Sequence, residues 1–277
     1  MSNLTLRVIV AIVAIPVILL ACYFGGLYFF IFTTAIIVLS LNEFYGLAKS
    51  KSFEPASAVG IAIAALMNAE VYSTGLRNIP DLLVFSVGFV LLFELARKRD
   101  DKVRGAFENV GTTLSGVVYI GLFGCFLTAL REGYGIRLVL PADRDAGMFI
   151  ISILVTIWVC DSAAYFVGKS IGKHKMSKLV SPNKTWEGAI AGFMFAVAIA
   201  VASKYLVLPN LSIKMALGTG VIVGTIGQAG DFVESLFKRD AGVKDSSHLI
   251  PGHGGVFDRF DSLLFSAPFI YLMLKYL

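Results

Sequence analysis

Ser235-Leu-Phe-Lys238-Arg239-Asp240-Ala-Gly-Val-Lys244-Asp245-Ser-Ser-His248-Leu-Ile-Pro251-Gly-His253-Gly254-Gly255-Val-Phe-Asp258-Arg259-Phe-Asp261 is a densely charged stretch in a very apolar chain. Four basic side chains, two histidines and four carboxylates fall within its 27 residues. It sits between two apolar runs, 213–230 and 260–277, so it reads as a polar connection between two lipid-soluble helices. A solvated loop would satisfy that position, but three features ask for more. Asp258 and Asp261 are three apart and share a face if helical. They stand just before an apolar run, in the first turn of the last helix. Gly252, Gly254 and Gly255 leave backbone N–H groups open to a phosphate.

Outward from this stretch, 57% of the 277 residues are hydrophobic and 16% are charged, against about 25% charged in a soluble domain. Nine apolar spans are expected at residues 6–24, 27–46, 56–73, 80–96, 113–130, 147–168, 187–208, 213–230 and 260–277. The expected fold is therefore an all-α polytopic membrane protein of about nine transmembrane helices. Asn68, Glu70, Asp81 and Glu94 weaken the third and fourth spans. Leu19-Leu20-Ala21-Cys22 in the first span resembles a lipoprotein cleavage site, but eight further spans favour a retained helix. Residues 97–112 are too polar to span and read as an interfacial segment. Cys22, Cys125 and Cys160 lie in apolar runs and suggest neither a disulfide framework nor a metal site. The chain divides into N-terminal helices (1–96), the interfacial segment with a central helix (97–146), and a C-terminal part carrying the polar loops (147–277).

The net charge of +5 could suggest a nucleic-acid partner, but the basic residues sit in loops, which points to orientation and anionic headgroups instead. With the N-terminus and the even-numbered loops on one side, 17 of the 24 Lys and Arg fall there and 7 on the other. The positive-inside rule makes the first side cytoplasmic, with the C-terminus outside. The carboxylates divide 14 to 5 the same way. Carboxylates do not set topology, so a cation site is one cause for their excess.

A second informative region runs from Asp161 to Gly188. Asp161 lies in an apolar run, where a mid-bilayer charge costs roughly 2.5–3.5 kcal/mol and usually faces a cavity or partner. Lys169, Lys173, Lys175, Lys178 and Lys184 form a cationic loop, followed by Ser181-Pro-Asn-Lys184-Thr-Trp-Glu-Gly188. Gly220 and Gly224 have the small-xxx-small spacing of close helix packing. Asp231 and Glu234, three apart, follow at the cytoplasmic end of the eighth span.

The 235–261 stretch resembles the signature of the phosphatidate cytidylyltransferases, or CDP-diacylglycerol synthases. Its pattern is S-x-apolar-K-R, then K-D, then P-x-H-G-G-apolar-x-D-R-apolar-D, and Ser235, Lys238, Arg239, Lys244, Asp245, Pro251, His253, Gly254, Gly255, Asp258, Arg259 and Asp261 all match it. The Ser181–Gly188 block resembles another block of this family, shared in part with CTP-dependent lipid kinases. The resemblance implies transfer of CMP from CTP to phosphatidate, giving CDP-diacylglycerol and pyrophosphate. It also implies a homodimer in the cell (inner) membrane, with the site facing the cytoplasm.

Carboxylates and cations in one cleft suit nucleotidyl transfer. Carboxylates hold Mg²⁺, a hard cation that prefers oxygen, and Lys and Arg neutralise phosphate oxygens. Asp231, Asp258 and Asp261 are the expected metal ligands. They join Lys238 and Arg239 in the expected catalytic group. Ser181, Lys184, Lys244, His253, Gly254, Gly255 and Arg259 are expected to bind substrate. No Cys or His cluster has zinc spacing. Two other readings stand beside this one. A CTP-dependent kinase of a polyprenol or diacylglycerol would use similar parts and release CDP. A transporter would share the intramembrane Asp161 and glycine-rich helices, but two repeated halves are not evident.

Overall fold

A computed structural model describes residues 3–97, 105–136 and 143–277; the basic run holding Lys98 and Lys102 lies outside them. Lipid offers a backbone amide no partner, so the apolar segments pair their own N–H and C=O groups as helices. In chain order these are α1 (Asn3–Phe24), α2 (Gly26–Ser50), α3 (Ser57–Thr74), α4 (Ile79–Leu95), α5 (Ala106–Gly116), α6 (Phe123–Glu132), α7 (Asp143–Ile171), α8 (Trp186–Leu206), α9 (Ile213–Ile222), α10 (Gln228–Asp240) and α11 (Phe257–Tyr276). A π-helical turn, Val117–Leu122, joins α5 to α6, and a second, Val223–Gly227, joins α9 to α10. One antiparallel hairpin, β1 (Lys175–Ser177) and β2 (Ser181–Thr185), links α7 to α8.

Among the described residues, six helical stretches are long and apolar enough to cross a membrane: Thr5–Phe24, Gly26–Ser50, Ser57–Leu95, Ala106–Glu132, Asp143–Ile171 and Trp186–Leu206. The chain is thus an all-α membrane protein apart from its hairpin. The fifth span begins earlier than expected. Residues 106–112 are helical and form the first turns of the α5–α6 rod. Their polar groups are satisfied by neighbouring elements. Asn109 Nδ2 donates to Glu94 Oε1 at 3.2 Å, its Oδ1 accepts the Glu54 N–H at 2.7 Å, and Thr113 Oγ1 accepts the Ala56 N–H at 2.9 Å.

Helix α2 runs through the core, burying Phe29, Thr33, Ile36, Ile37, Ser40, Leu41, Phe44 and Tyr45 along one stripe. Asn68 on α3 ties it to α6: its amide donates to Thr33 and Thr34 at 3.2 and 2.9 Å and accepts from Thr128 at 2.7 Å. Gly25, with φ of 63°, separates α1 from α2. A side chain there would strike the guanidinium of Arg131. That fully buried group closes α1 by donating to the Cys22 and Tyr23 carbonyls at 2.6 and 2.8 Å, and it pairs with Asp143 at 2.7 Å. On the C-terminal side, Gly220 and Gly224 lie against the α8 backbone at Val197 and Phe193, the close packing their spacing predicts. Thr185 caps α8 by accepting the Gly188 N–H at 3.2 Å. These contacts bring the end of α2, the hairpin, α10 and the start of α11 to one end of the bundle.

Candidate active site

Helix α10 places Asp231, Glu234, Ser235 and Lys238 at i, i+3, i+4 and i+7, a single face. Lys184 Nζ, from β2, pairs with Asp231 at 2.6 Å and lies 4.4 Å over the Phe232 ring. Lys238 Nζ bridges Glu234 at 2.5 Å and Asp258 at 2.7 Å. Asp261, in the first turns of α11, is buried and accepts the Ser262 N–H at 2.6 Å. Carboxylate oxygens of Asp231, Glu234 and Asp261 lie within 4.8 Å of one another.

Asp258 has a different setting from the one its spacing to Asp261 suggests. Its Oδ2 accepts from the Ser246 N–H at 3.0 Å and from the Gly255 N–H at 2.7 Å, and the Ser246 Oγ lies 3.0 Å away. Its other oxygen takes Lys238. Both oxygens are thus occupied by the loop and Lys238, and the carboxylate that converges with Asp231 and Asp261 is Glu234. The reason is local. Gly254, at φ 84°, turns the chain so that the Gly255 N–H points back at the first turn of α11. Both Glu234 and Asp258 lie beyond the ends of the apolar runs. Burial pushes the Glu234 carboxyl up to about 10, aided by Asp258 and Asp261. Burial works the same way on Asp258. Hydrogen bonding with Glu234, Lys238 and Gly255 outweighs it and holds that group below the ordinary carboxylate range.

These residues line a cavity of about 790 Å³ between α7, the hairpin, α8, α10 and α11. Asp161, Lys169, Lys175, Lys184, Asp231, Glu234, Lys238, Asp245, Asp258, Arg259 and Asp261 supply its charge. Of the residues expected from the sequence, Lys184, Asp231, Lys238, Asp258, Arg259 and Asp261 are brought together here. The others are not among its lining. Arg239 is exposed and donates to the Val243 carbonyl at 2.6 Å. Lys244 is exposed, and Ser181 opens β2 opposite Ser177. His253, Gly254 and Gly255 shape the loop: the His253 carbonyl accepts from Arg259 at 2.8 Å, and Gly254 bridges Ile250. A second, apolar groove of about 610 Å³ runs between α8 and the α9–α10 rod, lined by Trp186, Ile190, Phe193, Thr225 and Phe232. Met176, Ala189 and Gln228 line both spaces.

The carboxylate trio suits a hard divalent cation. Its donors are all oxygen, and Glu234 Oε1 is buried with no hydrogen-bond partner among the described residues. Bound cations reverse the protonation preference of such a group. Glu234 was visible in the sequence as a neighbour three residues from Asp231, but nothing there ranked it above Asp258. Glu43, which holds the loop from α2, carried no sequence signal at all.

A lipid-facing helical bundle with a cleft of carboxylates and cations at one end defines a membrane enzyme of phosphate-ester chemistry. The model of the cytidylyltransferase family matches residues 5–277, and the chain belongs to that family. It is 34% identical over 272 residues to a phosphatidate cytidylyltransferase of Staphylococcus aureus (strain COL), covering 97% of this chain and 98% of the relative. It is 31% identical over 285 residues to the protein of that name from Synechocystis sp. (96% and 95% covered), and 30% identical over 269 residues to that of Staphylococcus haemolyticus (97% and 98%).

Proposed function

We propose that the protein transfers CMP from CTP to phosphatidate, giving CDP-diacylglycerol and pyrophosphate. The observation that carries this reading is the junction of two unlike spaces, a charged cleft and an apolar groove with shared walls at Met176, Ala189 and Gln228. A phosphomonoester with two acyl chains needs both at once. The names of the relatives point to the same substrate.

Asp231, Glu234 and Asp261 would hold Mg²⁺, which when bound supplies positive charge against the triphosphate. Lys184, Lys238 and Arg259 neutralise phosphate oxygens and the departing pyrophosphate. Asp258 keeps Lys238 turned into the cleft. Arg239 and Lys244 meet incoming nucleotide from the exposed side of the loop, while His253, Gly254 and Gly255 set its course. The lipid phosphate is largely ionised near pH 7, its second pKa being about 6. Its oxygen attacks the α-phosphorus of CTP in line. One P–O bond forms as the bond to the β-phosphate bridge breaks, and the electron pair leaves with pyrophosphate. No proton has to move, so the residues position and neutralise, and no general base is assigned. The acyl chains lie in the groove between α8 and the α9–α10 rod. The α9–α10 rod and α11 make the eighth and ninth crossings. The 17-to-7 division of Lys and Arg supports a cytoplasmic N-terminus and cleft, where CTP is available, and an outside C-terminus.

Purified protein with CTP, phosphatidate and Mg²⁺ should release pyrophosphate and CDP-diacylglycerol in equal amounts. Release of CDP with a newly phosphorylated lipid alcohol would instead make the protein a kinase.

A further inference from the structure

We infer that Glu43 on α2 is a positioning residue for the proposed transfer, fixing the 246–257 loop and through it the first turn of α11. The inference rests on the reading of the cleft given above. Glu43 stands 203 to 214 residues from its partners in sequence and is 4% exposed. Its Oε1 accepts from the Ser247 hydroxyl at 2.6 Å and the Val256 N–H at 2.9 Å. Its Oε2 accepts from the Ser246 hydroxyl and the Phe257 N–H, both at 2.8 Å. Four donors thus converge on one buried carboxylate at the N-terminus of α11, where the helix dipole favours negative charge.

What Glu43 holds is what the cleft uses. Val256 and Phe257 precede Asp258, Arg259 and Asp261 directly. Ser246 also contacts Asp258: its N–H and hydroxyl lie 3.0 Å from the carboxylate. Asp258 in turn pairs with Lys238, and Lys238 with Glu234. A continuous chain of short contacts therefore runs from α2 to the carboxylate trio. Gly255 gives a second, independent observation. A Cβ there would strike the Ser246 hydroxyl and then the Glu43 carboxylate, so a glycine at this place leaves room for the contact between them. Phe44, the next residue on α2, packs its ring against Phe257 and Phe237 and keeps the helix in register.

Gln in place of Glu43 keeps the shape but offers one carbonyl oxygen and turns an NH₂ toward groups that donate. Reacting groups displaced by about 1 Å can lose a hundredfold in rate. In the intact protein, Glu43→Gln should lower kcat for CDP-diacylglycerol formation at least tenfold and leave the KM for phosphatidate within about twofold. Hydrogen exchange of the amides at 246–257 should quicken while α3 and α6 keep the parent rate. Gly255→Ala should reproduce both effects, and Glu43→Asp should recover part of the rate. Parent turnover with unchanged exchange in Glu43→Gln would overturn the inference, as would faster exchange spread evenly over the chain. If the parent protein makes no CDP-diacylglycerol, the proposed reaction fails, while the exchange arm still reports whether Glu43 holds the loop.

Discussion

The carboxylate geometry separates two residues that the sequence presents as equivalent. Asp261 faces Asp231 and Glu234, whereas Asp258 is engaged by Lys238, Ser246 and Gly255. Asp261→Asn is nearly isosteric and keeps an oxygen for the Ser262 N–H. It relieves the crowding of three carboxyl groups within 4.8 Å, so folding should be unharmed. A neutral amide is a poor Mg²⁺ ligand, and turnover should fall at least a hundredfold, about 2.7 kcal/mol of transition-state stabilisation. Asp258→Asn should behave differently. It leaves Lys238 without one buried partner and sets an NH₂ against donors, which costs about 3 kcal/mol of stability. The assay is CDP-diacylglycerol formation across a Mg²⁺ titration, paired with thermal unfolding read by a thiol-reactive dye. That dye is suitable because Cys22, Cys125 and Cys160 are buried and free. Asp261→Asn should keep the parent melting temperature and need more Mg²⁺; Asp258→Asn should melt lower. Parent-rate turnover in Asp261→Asn, or a rate loss matched by an equal loss of stability, would refute the cation assignment.

Lys184→Ala removes the cation paired with Asp231 from a half-buried site, and turnover should drop at least tenfold with little change in melting temperature. Thr225→Phe narrows the apolar groove from an exposed position; initial rates should show a higher KM for phosphatidate and an unaltered KM for CTP. A cysteine at Lys178 or His248, in a background with the three native cysteines replaced, should resist a membrane-impermeant thiol reagent applied outside intact cells. Labelling from outside would reverse the proposed orientation and cut the cleft off from CTP.

The parts of this protein that were legible in the sequence are the local ones. Apolar runs gave most helices, because lipid forces each segment to satisfy its own backbone. The 235–261 pattern marked the cleft because loop and helix start lie in one stretch. Spacing alone could not rank Glu234 against Asp258, since the choice depends on how Gly254 turns the loop back onto α11. The helix begins before the expected 113 because Asn109 looks solvent-facing until Glu54 and Glu94 are packed against it. Glu43 was illegible for a stronger reason: every one of its partners is at least 203 residues away. The apolar groove is equally a property of packing, with walls from the hairpin, α8, the second π-helical turn and α10.

The most direct measurement follows the phosphorus. CTP labelled with ³²P at either the α or the γ position is incubated with the purified protein, phosphatidate and Mg²⁺, and the lipid and aqueous phases are counted. The account predicts α-label in the lipid and γ-label in pyrophosphate, both abolished by chelating the metal. γ-Label in the lipid, or no label in it from either position, would contradict it.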